Sequence, residues 1–168
     1  MIEKEIWEKR TPKGMIRIRF AERDDLAGVI ALRNSEPDLE QANTDDYRSE
    51  LKKGGIVVAA IEGKIIGFSK FPSLIAIRPD FRKIGIGRVM AAFSIKFAKE
   101  TKYDIHFVSG HSDTMLKMFV EFEKEKILKI KDAVEIDTHN LELEGKLPHQ
   151  RELKINSFRK KHGWHIVK

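Results

Sequence analysis

A short hydrophobic run, a basic loop with two glycines and an apolar-periodic segment follow one another directly at residues 74–98. The loop carries the pattern Arg82-x-x-Gly85-x-Gly87. Glycine has no β-carbon, so the backbone at such positions can approach an anion closely. The first N–H groups of a helix have no partner within the helix, and the helix dipole favours negative charge there. The segment therefore predicts a strand, a pyrophosphate-binding loop and a helix.

Spacing separates this loop from two other phosphate-binding loops. A P-loop would continue with Gly-Lys-Ser or Gly-Lys-Thr, and neither follows here. The dinucleotide fingerprint, Gly-x-Gly-x-x-Gly, requires a third glycine. The present pattern stops after two glycines and has an arginine three positions before the first.

The loop resembles motif A of the GCN5-related N-acetyltransferases, a family that transfers an acyl group from coenzyme A to an amine. The family pattern is roughly apolar-x-Pro-x-aromatic-Arg-x-x-Gly-x-Gly, leading into a helix. Lys83 stands where glycine is usual, and Ile84 where a basic residue is common. Upstream, residues 16–26 resemble the first strand of the family and its turn into helix 1, and residues 55–71 resemble its central hairpin. Six positions of the loop match the pattern: Ile77, Pro79, Phe81, Arg82, Gly85 and Gly87.

The resemblance implies an α+β fold, an α/β/α sandwich in which helices flank a mixed, mostly antiparallel sheet with two splayed parallel central strands. An extended chain with amides, such as the pantetheine arm of coenzyme A, binds between splayed strands as an added strand would. Acetyl-CoA is therefore the expected acyl donor. The residues that the resemblance implies in binding it are Ile75, Ala76, Ile77, Arg82, Lys83, Ile84, Gly85, Ile86, Gly87 and Arg88.

Hydrophobic periodicity divides the chain into a charged N-terminal lead-in, residues 1–14, and a single domain, residues 15–168. Thr44 is the predicted N-cap of the second helix, and Glu62-Gly63 is a predicted two-residue hairpin turn. A helix between two strands indicates that the strands near 74–77 and 103–108 are parallel. The predicted strands are residues 15–20, 56–61, 64–71, 74–77 and 103–108, and the first two helices are 24–34 and 44 to the glycines at 54 and 55.

The C-terminal third, from about residue 111 to 168, departs from the family. The family closes with a fourth helix whose signature includes a Tyr, which often protonates the departing thiolate, and ends in Gly-Phe. Residues 111–122 follow the predicted strand directly and carry apolar residues at helical spacing, but lack both the Tyr and the Gly-Phe. Residues 158–164 end in Gly-Trp and have Arg159 at the Tyr position. Order and length favour the first segment as the closing helix, and the second stays an alternative.

Acyl transfer to an amine requires that the ammonium group loses a proton and that the thioester oxygen is stabilised as charge builds on it. A backbone N–H of the strand at 75–77 is the expected oxyanion donor. The strand acid that many family members use as a base is missing, because residues 73–77 contain no carboxylate. His106 and His111 are the candidate catalytic residues, since an imidazole titrates near neutral pH. The other histidines show no clear metal-ligand spacing, and no metal is expected.

Composition limits the partners. The net charge of +6 favours acidic ones. The chain has no cysteine, no signal-peptide pattern and no apolar run near the ~20 residues that cross a bilayer, so we expect a cytoplasmic protein with no membrane partner. The expected acceptor is a small-molecule or protein amine. The sequence leaves the oligomeric state undecided, and a homodimer is one possibility. The basic tail, residues 146–168, with Arg159, Lys160 and Lys161 beside Trp164, makes RNA a further candidate partner.

Three functions are compatible with these patterns. The favoured one is an N-acetyltransferase in which the amine attacks the thioester of acetyl-CoA directly, because the loop stands in its expected order along the chain. The second is a non-catalytic module of the same fold that binds coenzyme A or a partner, since the Tyr and the strand acid are missing. The third is an RNA-directed acetyltransferase that acts on charged tRNA, which rests on the basic tail.

Overall fold

The computed structural model describes residues 5–36, 41, 43–70, 74–98, 105–109, 112–135 and 141–167. No helix within these ranges is long and apolar enough to cross a membrane. The described helices are Leu26–Ser35 (α1), Thr44–Lys52 (α2), Ile86–Phe97 (α3), Ser112–Lys124 (α4) and Arg151–Lys161 (α5). The described strands are Ile6–Thr11 (β1), Gly14–Phe20 (β2), Val57–Ile61 (β3), Lys64–Lys70 (β4), Leu74–Ile77 (β5), Ile105–Ser109 (β6), Lys129–Glu135 (β7), Leu141–Lys146 (β8) and His165–Val167 (β9).

The strands form two antiparallel sheets. The larger has six strands in the order β5-β4-β3-β2-β1-β9, and the smaller has the order β6-β8-β7. The predicted α+β fold is confirmed. The two strands predicted to splay apart correspond to β5 and β6, and no ladder joins them among the described strands, because β5 ends one sheet and β6 ends the other. This separation leaves one edge of β5 without a strand partner in the described part of the chain.

Helices cover both faces of the large sheet, as the sandwich prediction requires. On one face, α3, α4 and α5 bury a core that includes Trp7, Phe93 and Phe158. On the other face, α1 and α2 bury Val29, Tyr47 and other side chains against the sheet. Alternate side chains of each strand point to opposite faces, so β5 contributes to both cores.

The N-terminal segment is more than the predicted lead-in, because residues 6–11 form β1. This strand pairs with β2 on one side and with β9 on the other, so that Trp7 lies opposite both Ile18 and Ile166. Trp7 is the single fully buried residue of β1, and the ring of Phe93 packs against it edge-on at 5.0 Å. With one buried apolar residue among charged neighbours, the sequence alternation of the strand was too weak to identify it.

In the C-terminal third, the fourth helix lies where the favoured alternative placed it, and further strands and a fifth helix follow. Helix α4 comes after β6, and the hairpin β7–β8 follows, so residues 111–122 overlap the closing helix as predicted. The competing segment forms the end of α5, an additional helix that packs on α3, followed by β9. The ring of Phe158 in α5 contacts that of Phe122 in α4 at 5.5 Å, so α5 belongs to the same core.

Candidate functional site

Gly85 begins α3 in a left-handed conformation with φ of +86°, which residues with a β-carbon rarely adopt. No side chain caps this helix. Among the described residues, the backbone N–H groups of Ile86, Gly87 and Arg88 have no hydrogen-bond acceptor. Lys83 also has a positive φ of +65°, which explains why glycine is usual at this position of the motif. The loop therefore presents unpaired donors at the positive end of a helix dipole, the arrangement that binds anions.

The backbone of β5 alternates between its paired and its open edge. The Arg78 N–H donates to the Ile66 carbonyl at 2.8 Å, which makes Arg78 a hydrogen-bonded pair with Ile66. Hydrogen-bonded pairs alternate along an antiparallel ladder, so Ala76 and Phe68, two residues away, also form a hydrogen-bonded pair. The backbone N–H and C=O groups of the residues between, Ile75 and Ile77, therefore point away from β4. Ala76 thus bonds to β4, while Ile75 and Ile77 present their groups to the open edge.

One of these open groups already has a partner. The Ile77 carbonyl accepts a hydrogen bond from Arg82 Nε at 2.9 Å. The N–H groups of Ile75 and Ile77 have no acceptor among the described residues. The start of α3 lies directly over this edge, because a β-carbon added to Gly87 would sit 3.6 Å from Ile75 Cγ2. The open strand edge and the unpaired helix terminus are therefore neighbours.

The charged side chains of the loop have different partners. Arg82 Nη2 lies 2.7 Å from Glu36, the residue that follows α1. Arg88 Nη1 lies 3.0 Å from Glu121 in α4. Lys83 is exposed and has no ion-pair partner in the described part of the chain. Lys83 is thus a cation of the loop whose charge no described carboxylate neutralises.

Two predicted loop residues have opposite environments. The Ile84 side chain is 48% exposed, whereas the Ile86 side chain is buried in the core and leaves its N–H at the helix terminus. Ile84 is therefore available to a ligand through its side chain, and Ile86 through its backbone.

Comparison with known proteins addresses the fold. The sequence matches no protein-family model and no curated protein. Solved structures do match. An acetyltransferase of the GNAT family from Bacillus cereus is 17% identical, with 82% of this chain and 100% of that chain covered and a TM-score of 0.61. Ard1 from Thermoplasma volcanium is 16% identical, with 80% and 99% covered and a TM-score of 0.56.

A third match carries a ligand analogue. Arabidopsis thaliana Naa50, solved with the bisubstrate analogue CoA-Ac-MVNAL, is 14% identical, with 78% and 97% covered and a TM-score of 0.53. The fold is that of the GCN5-related N-acetyltransferases. At these identities the likeness establishes the GNAT fold, and what the protein does must be argued from its own residues.

The candidate catalytic histidines differ in how the structure describes them. His106 lies in β6, opposite Glu144 of β8 in the ladder. His111 lies outside the described residues. The described residues contain no group of three or more side chains that could hold a metal ion.

The tyrosine that closes the family's site has no counterpart on α4. The chain has two tyrosines, Tyr47 and Tyr103, and neither falls within residues 112–124. Tyr47 is buried under α1, where burial raises the pKa of its hydroxyl. Tyr103 lies outside the described residues. Helix α4 therefore carries no tyrosine that could protonate the leaving thiolate.

The RNA contact expected at the basic tail is wrong for two of its residues. Arg159 is buried and donates from Nη1 to the Trp164 carbonyl at 2.6 Å, and Trp164 itself is buried. Neither side chain can therefore reach a phosphate or a base. Of the neighbouring lysines, Lys161 lies 2.9 Å from Glu125. Arg159 and Trp164 are therefore structural residues, whereas Lys154 and Lys160 of the same segment are exposed.

Two carboxylates that contact arginines at the loop could not be predicted from the sequence. Glu36 and Glu121 stand far along the chain from Arg82 and Arg88, and single acidic residues of helices and loops are common. His162 also joins this group, since its Nε2 lies 3.8 Å from Glu121. Only the tertiary structure, which places the residue after α1, helix α4 and the end of α5 near the loop and the start of α3, brings them together.

Proposed function

We propose that the protein is an acyl-CoA-dependent N-acyltransferase, with acetyl-CoA as the simplest donor and an amine as the acceptor. One observation carries the proposal: the open N–H groups of Ile75 and Ile77 lie beside the unpaired N–H groups at the start of α3. An extended chain with amides fits the first set of donors, and a pyrophosphate fits the second. Coenzyme A combines both chemical groups in one molecule.

The strand edge also supplies the electrostatic part of the reaction. Ile75 and Ile77 hold N–H donors whose direction is fixed by the ladder with β4, and fixed donors stabilise negative charge that develops on a thioester oxygen. The leaving thiolate needs little protonation, because a thiol has a pKa of about 8.5. A site without a tyrosine on α4 is consistent with this chemistry.

The amine must be deprotonated before it attacks. We infer that His106, which lies opposite Glu144 in the ladder of β6 and β8, accepts this proton, directly or through a water. His111 is the second candidate for the same role. A glutamate in the strand before the loop, which relatives often use, has no equivalent within residues 73–77.

Binding and turnover test the proposal separately. Acetyl-CoA should raise the melting temperature, with a shift that grows with the logarithm of its concentration above Kd and a stabilisation of about 2.7 kcal/mol at 100 times Kd. Thiol release should then be measured over a broad panel of amines, with and without protein. The absence of a stability shift with any acyl-CoA would contradict the proposal.

The base assignment has its own test. His106→Ala and His111→Ala should be compared in thiol release at saturating acetyl-CoA, with the exposed His149→Ala as the control. Loss of a general base lowers the rate by about 10²- to 10⁴-fold while donor affinity is unchanged. If both variants retain the wild-type rate, neither histidine is the base.

A non-catalytic coenzyme A-binding module of the same fold is the second candidate. The missing tyrosine on α4 and the missing acid in β5 favour it, because these groups often carry the proton transfers in the family. Tight binding of acetyl-CoA with no thiol release across the amine panel would support this candidate over the enzyme.

A further inference from the structure

The carboxylate of Glu121 on α4 lies close to two side chains that come from other parts of the chain. Arg88 Nη1, on the first turn of α3, donates to both carboxylate oxygens, at 3.2 and 3.0 Å. His162, the residue that follows α5, has its Nε2 3.8 Å from Oε1 of the same carboxylate. Glu121 and Arg88 therefore form an ion pair, and His162 lies just beyond hydrogen-bond distance of it.

The guanidinium of Arg88 also reaches the loop before α3. A β-carbon added to Gly85 would lie 3.2 Å from Arg88 Nη2, so this nitrogen lies against the residue that begins the helix. Arg88 Nε is buried and has no hydrogen-bond partner in the described part of the chain. The guanidinium thus has one nitrogen on Glu121 and another beside the backbone donors that we propose for the pyrophosphate.

The imidazole of His162 is fixed by packing, but its Nε2 is unsatisfied. The ring packs on that of Phe158 with centroids 4.4 Å apart, and the backbone N–H donates to the Phe158 carbonyl at 3.2 Å. Nε2 is buried without a hydrogen-bond partner among the described residues, which is rare in folded proteins. Both ring nitrogens are donors in the imidazolium, so a shift of about 1 Å would give Nε2 a charge-assisted bond to Glu121.

The charged groups around His162 decide when it takes up a proton. Burial, and then the positive charge of Arg88 on α3, lower its pKa below the ordinary 6.5. Glu121 of α4 raises it, whereas Lys161 of α5 and Lys9 of β1 lower it further. His162 is therefore neutral at neutral pH, and Glu121 is the acid that favours its protonation in mild acid.

Protonation of His162 would change the charge beside the loop. In the neutral state, Glu121 cancels the charge of Arg88, so the pair adds no net charge where an anion would bind. An imidazolium would share the carboxylate, and the three groups together would be positive. A shared carboxylate attracts the guanidinium less, and a nearby anion gains from the added positive charge.

We propose that His162 and Glu121 form a proton switch for the anion loop, in which protonation of His162 draws Glu121 from Arg88 and leaves the guanidinium to the pyrophosphate of the acyl donor. The ligand of this switch rests on the proposed function. The sign follows from linkage: a ligand that favours the protonated form binds more tightly as the pH falls. The protein would thus bind its donor more tightly in mild acid than at neutral pH.

The test measures the affinity of dephospho-coenzyme A for the intact chain by calorimetry between about pH 7.5 and about pH 5.5. This analogue keeps the pyrophosphate and lacks the 3′-phosphate, whose own second pKa of about 6 would add a pH dependence. We expect about fivefold tighter binding at the acidic end, as for one partly exposed ion pair. His162→Gln should lose this dependence, and His149→Gln, at an exposed position, should keep it.

Glu121→Gln distinguishes competition for Arg88 from positioning of Arg88. Without the carboxylate, the guanidinium is available to the ligand at every pH, and His162 loses the acid that favours its protonation. Affinity at about pH 7.5 should therefore be about fivefold tighter than in the wild type and change little in acid. Glu152→Gln, which removes an exposed carboxylate from α5, should match the wild type. Equal or weaker binding in Glu121→Gln would contradict the switch.

A second measurement needs no substitution. Linkage is reciprocal, so dephospho-coenzyme A should raise the pKa of His162 by the same free energy, which an NMR titration of the imidazole measures. Wild-type affinity that does not depend on pH, or an equal dependence in His162→Gln, would overturn the proton switch and leave the acyltransferase proposal standing. No binding of dephospho-coenzyme A at any pH would also overturn the switch, and the acyltransferase proposal would then depend on the stability shift with acetyl-CoA.

Discussion

Arg82 Nη2 donates to the Glu36 carboxylate over 2.7 Å, which ties the loop before α3 to the end of α1. The Nε of the same guanidinium is bonded to the Ile77 carbonyl. Arg82 is the motif residue that we expect to bind a pyrophosphate. Its Nη2 donor is already bonded to a carboxylate. A phosphate that binds at the loop must therefore compete with Glu36 for Arg82.

Removal of this competitor should tighten donor binding. In Glu36→Gln the side chain keeps its size, while Arg82 loses an anionic partner and the loop loses a nearby negative charge. Because the pair is partly exposed, we expect a gain of up to about 1 kcal/mol, or about fivefold in Kd for coenzyme A. Calorimetric titration measures it.

The control for this variant is Glu152→Gln, which removes one exposed negative charge from α5. Its affinity for coenzyme A should equal that of the wild type. An unchanged affinity in Glu36→Gln would show that Glu36 does not compete with the ligand, and a weaker one would show that it positions Arg82 for the ligand.

Two substitutions of Gly85 distinguish the effect of backbone strain from the effect of an added charge. In Gly85→Ala, the left-handed φ costs roughly 1–2 kcal/mol of stability, and the new methyl group meets the flexible end of Arg88 at 3.2 Å. Gly85→Asp has the same strain and adds a carboxylate to the anion loop. Both variants should therefore lose similar stability in denaturant unfolding.

Their affinities should differ. We expect Gly85→Asp to bind coenzyme A at least about tenfold more weakly than Gly85→Ala. A contact between the aspartate and the pyrophosphate, which are both negative, costs more than about 1.4 kcal/mol, the free energy of a tenfold change in Kd. Calorimetry on the two proteins gives the comparison. Equal affinities would mean that the loop is a structural corner and does not bind the pyrophosphate.

Helix α5 should be a full part of the core. Phe158 is completely buried and packs against Phe122 of α4. Phe158→Ala should lower the free energy of unfolding by about 3–5 kcal/mol, because it removes a large side chain and leaves a cavity. Leu153 of the same helix is 74% exposed, and Leu153→Ala should change stability by less than about 0.5 kcal/mol.

Stability should fall in mild acid through His162. Burial first, and then the charge of Arg88, lowers the pKa of this imidazole in the folded protein. The unfolded chain therefore takes up the proton more readily, and stability decreases as the pH falls below the ordinary value of 6.5. His162→Gln should show a smaller loss of unfolding free energy between about pH 7 and about pH 5.

Urea unfolding at several pH values measures this dependence. His165→Gln, a substitution in exposed β9, controls for the loss of one histidine from the chain. A pH dependence in His162→Gln that equals the wild type would show that other groups cause the acid sensitivity.

The segments with strong local signals were predictable from sequence. Glu62 and Gly63 both have positive φ, at 49° and 79°, as a two-residue hairpin turn requires, and the hairpin β3–β4 flanks them. The strand, loop and helix from β5 to α3 were likewise predicted, because glycines and a proline mark their ends. In these segments the conformation is decided by residues that are neighbours along the chain.

Other features depend on contacts that no local pattern records. The N-cap of α2 is Asn43, one residue before the predicted Thr44, since its side chain accepts from the N–H groups of Asp45 and Asp46. Strand β9 has three residues, too few for a periodic signal. The Glu36 and Glu121 carboxylates reach the loop only because helices pack around it. Sequence therefore predicted the strand, the loop and the helix, and missed the carboxylates that pair with Arg82 and Arg88.

The pairing of β1 with β9 places an early and a late part of the chain side by side, with Ile6 opposite Val167. During translation, β1 leaves the ribosome long before β9. Its outer edge stays open until residues 165–167 follow, and an open edge is a template for pairing with other chains. Pairing with β9 moves the edge of the sheet from a strand of six residues to one of three, and a shorter edge offers fewer backbone groups to other chains.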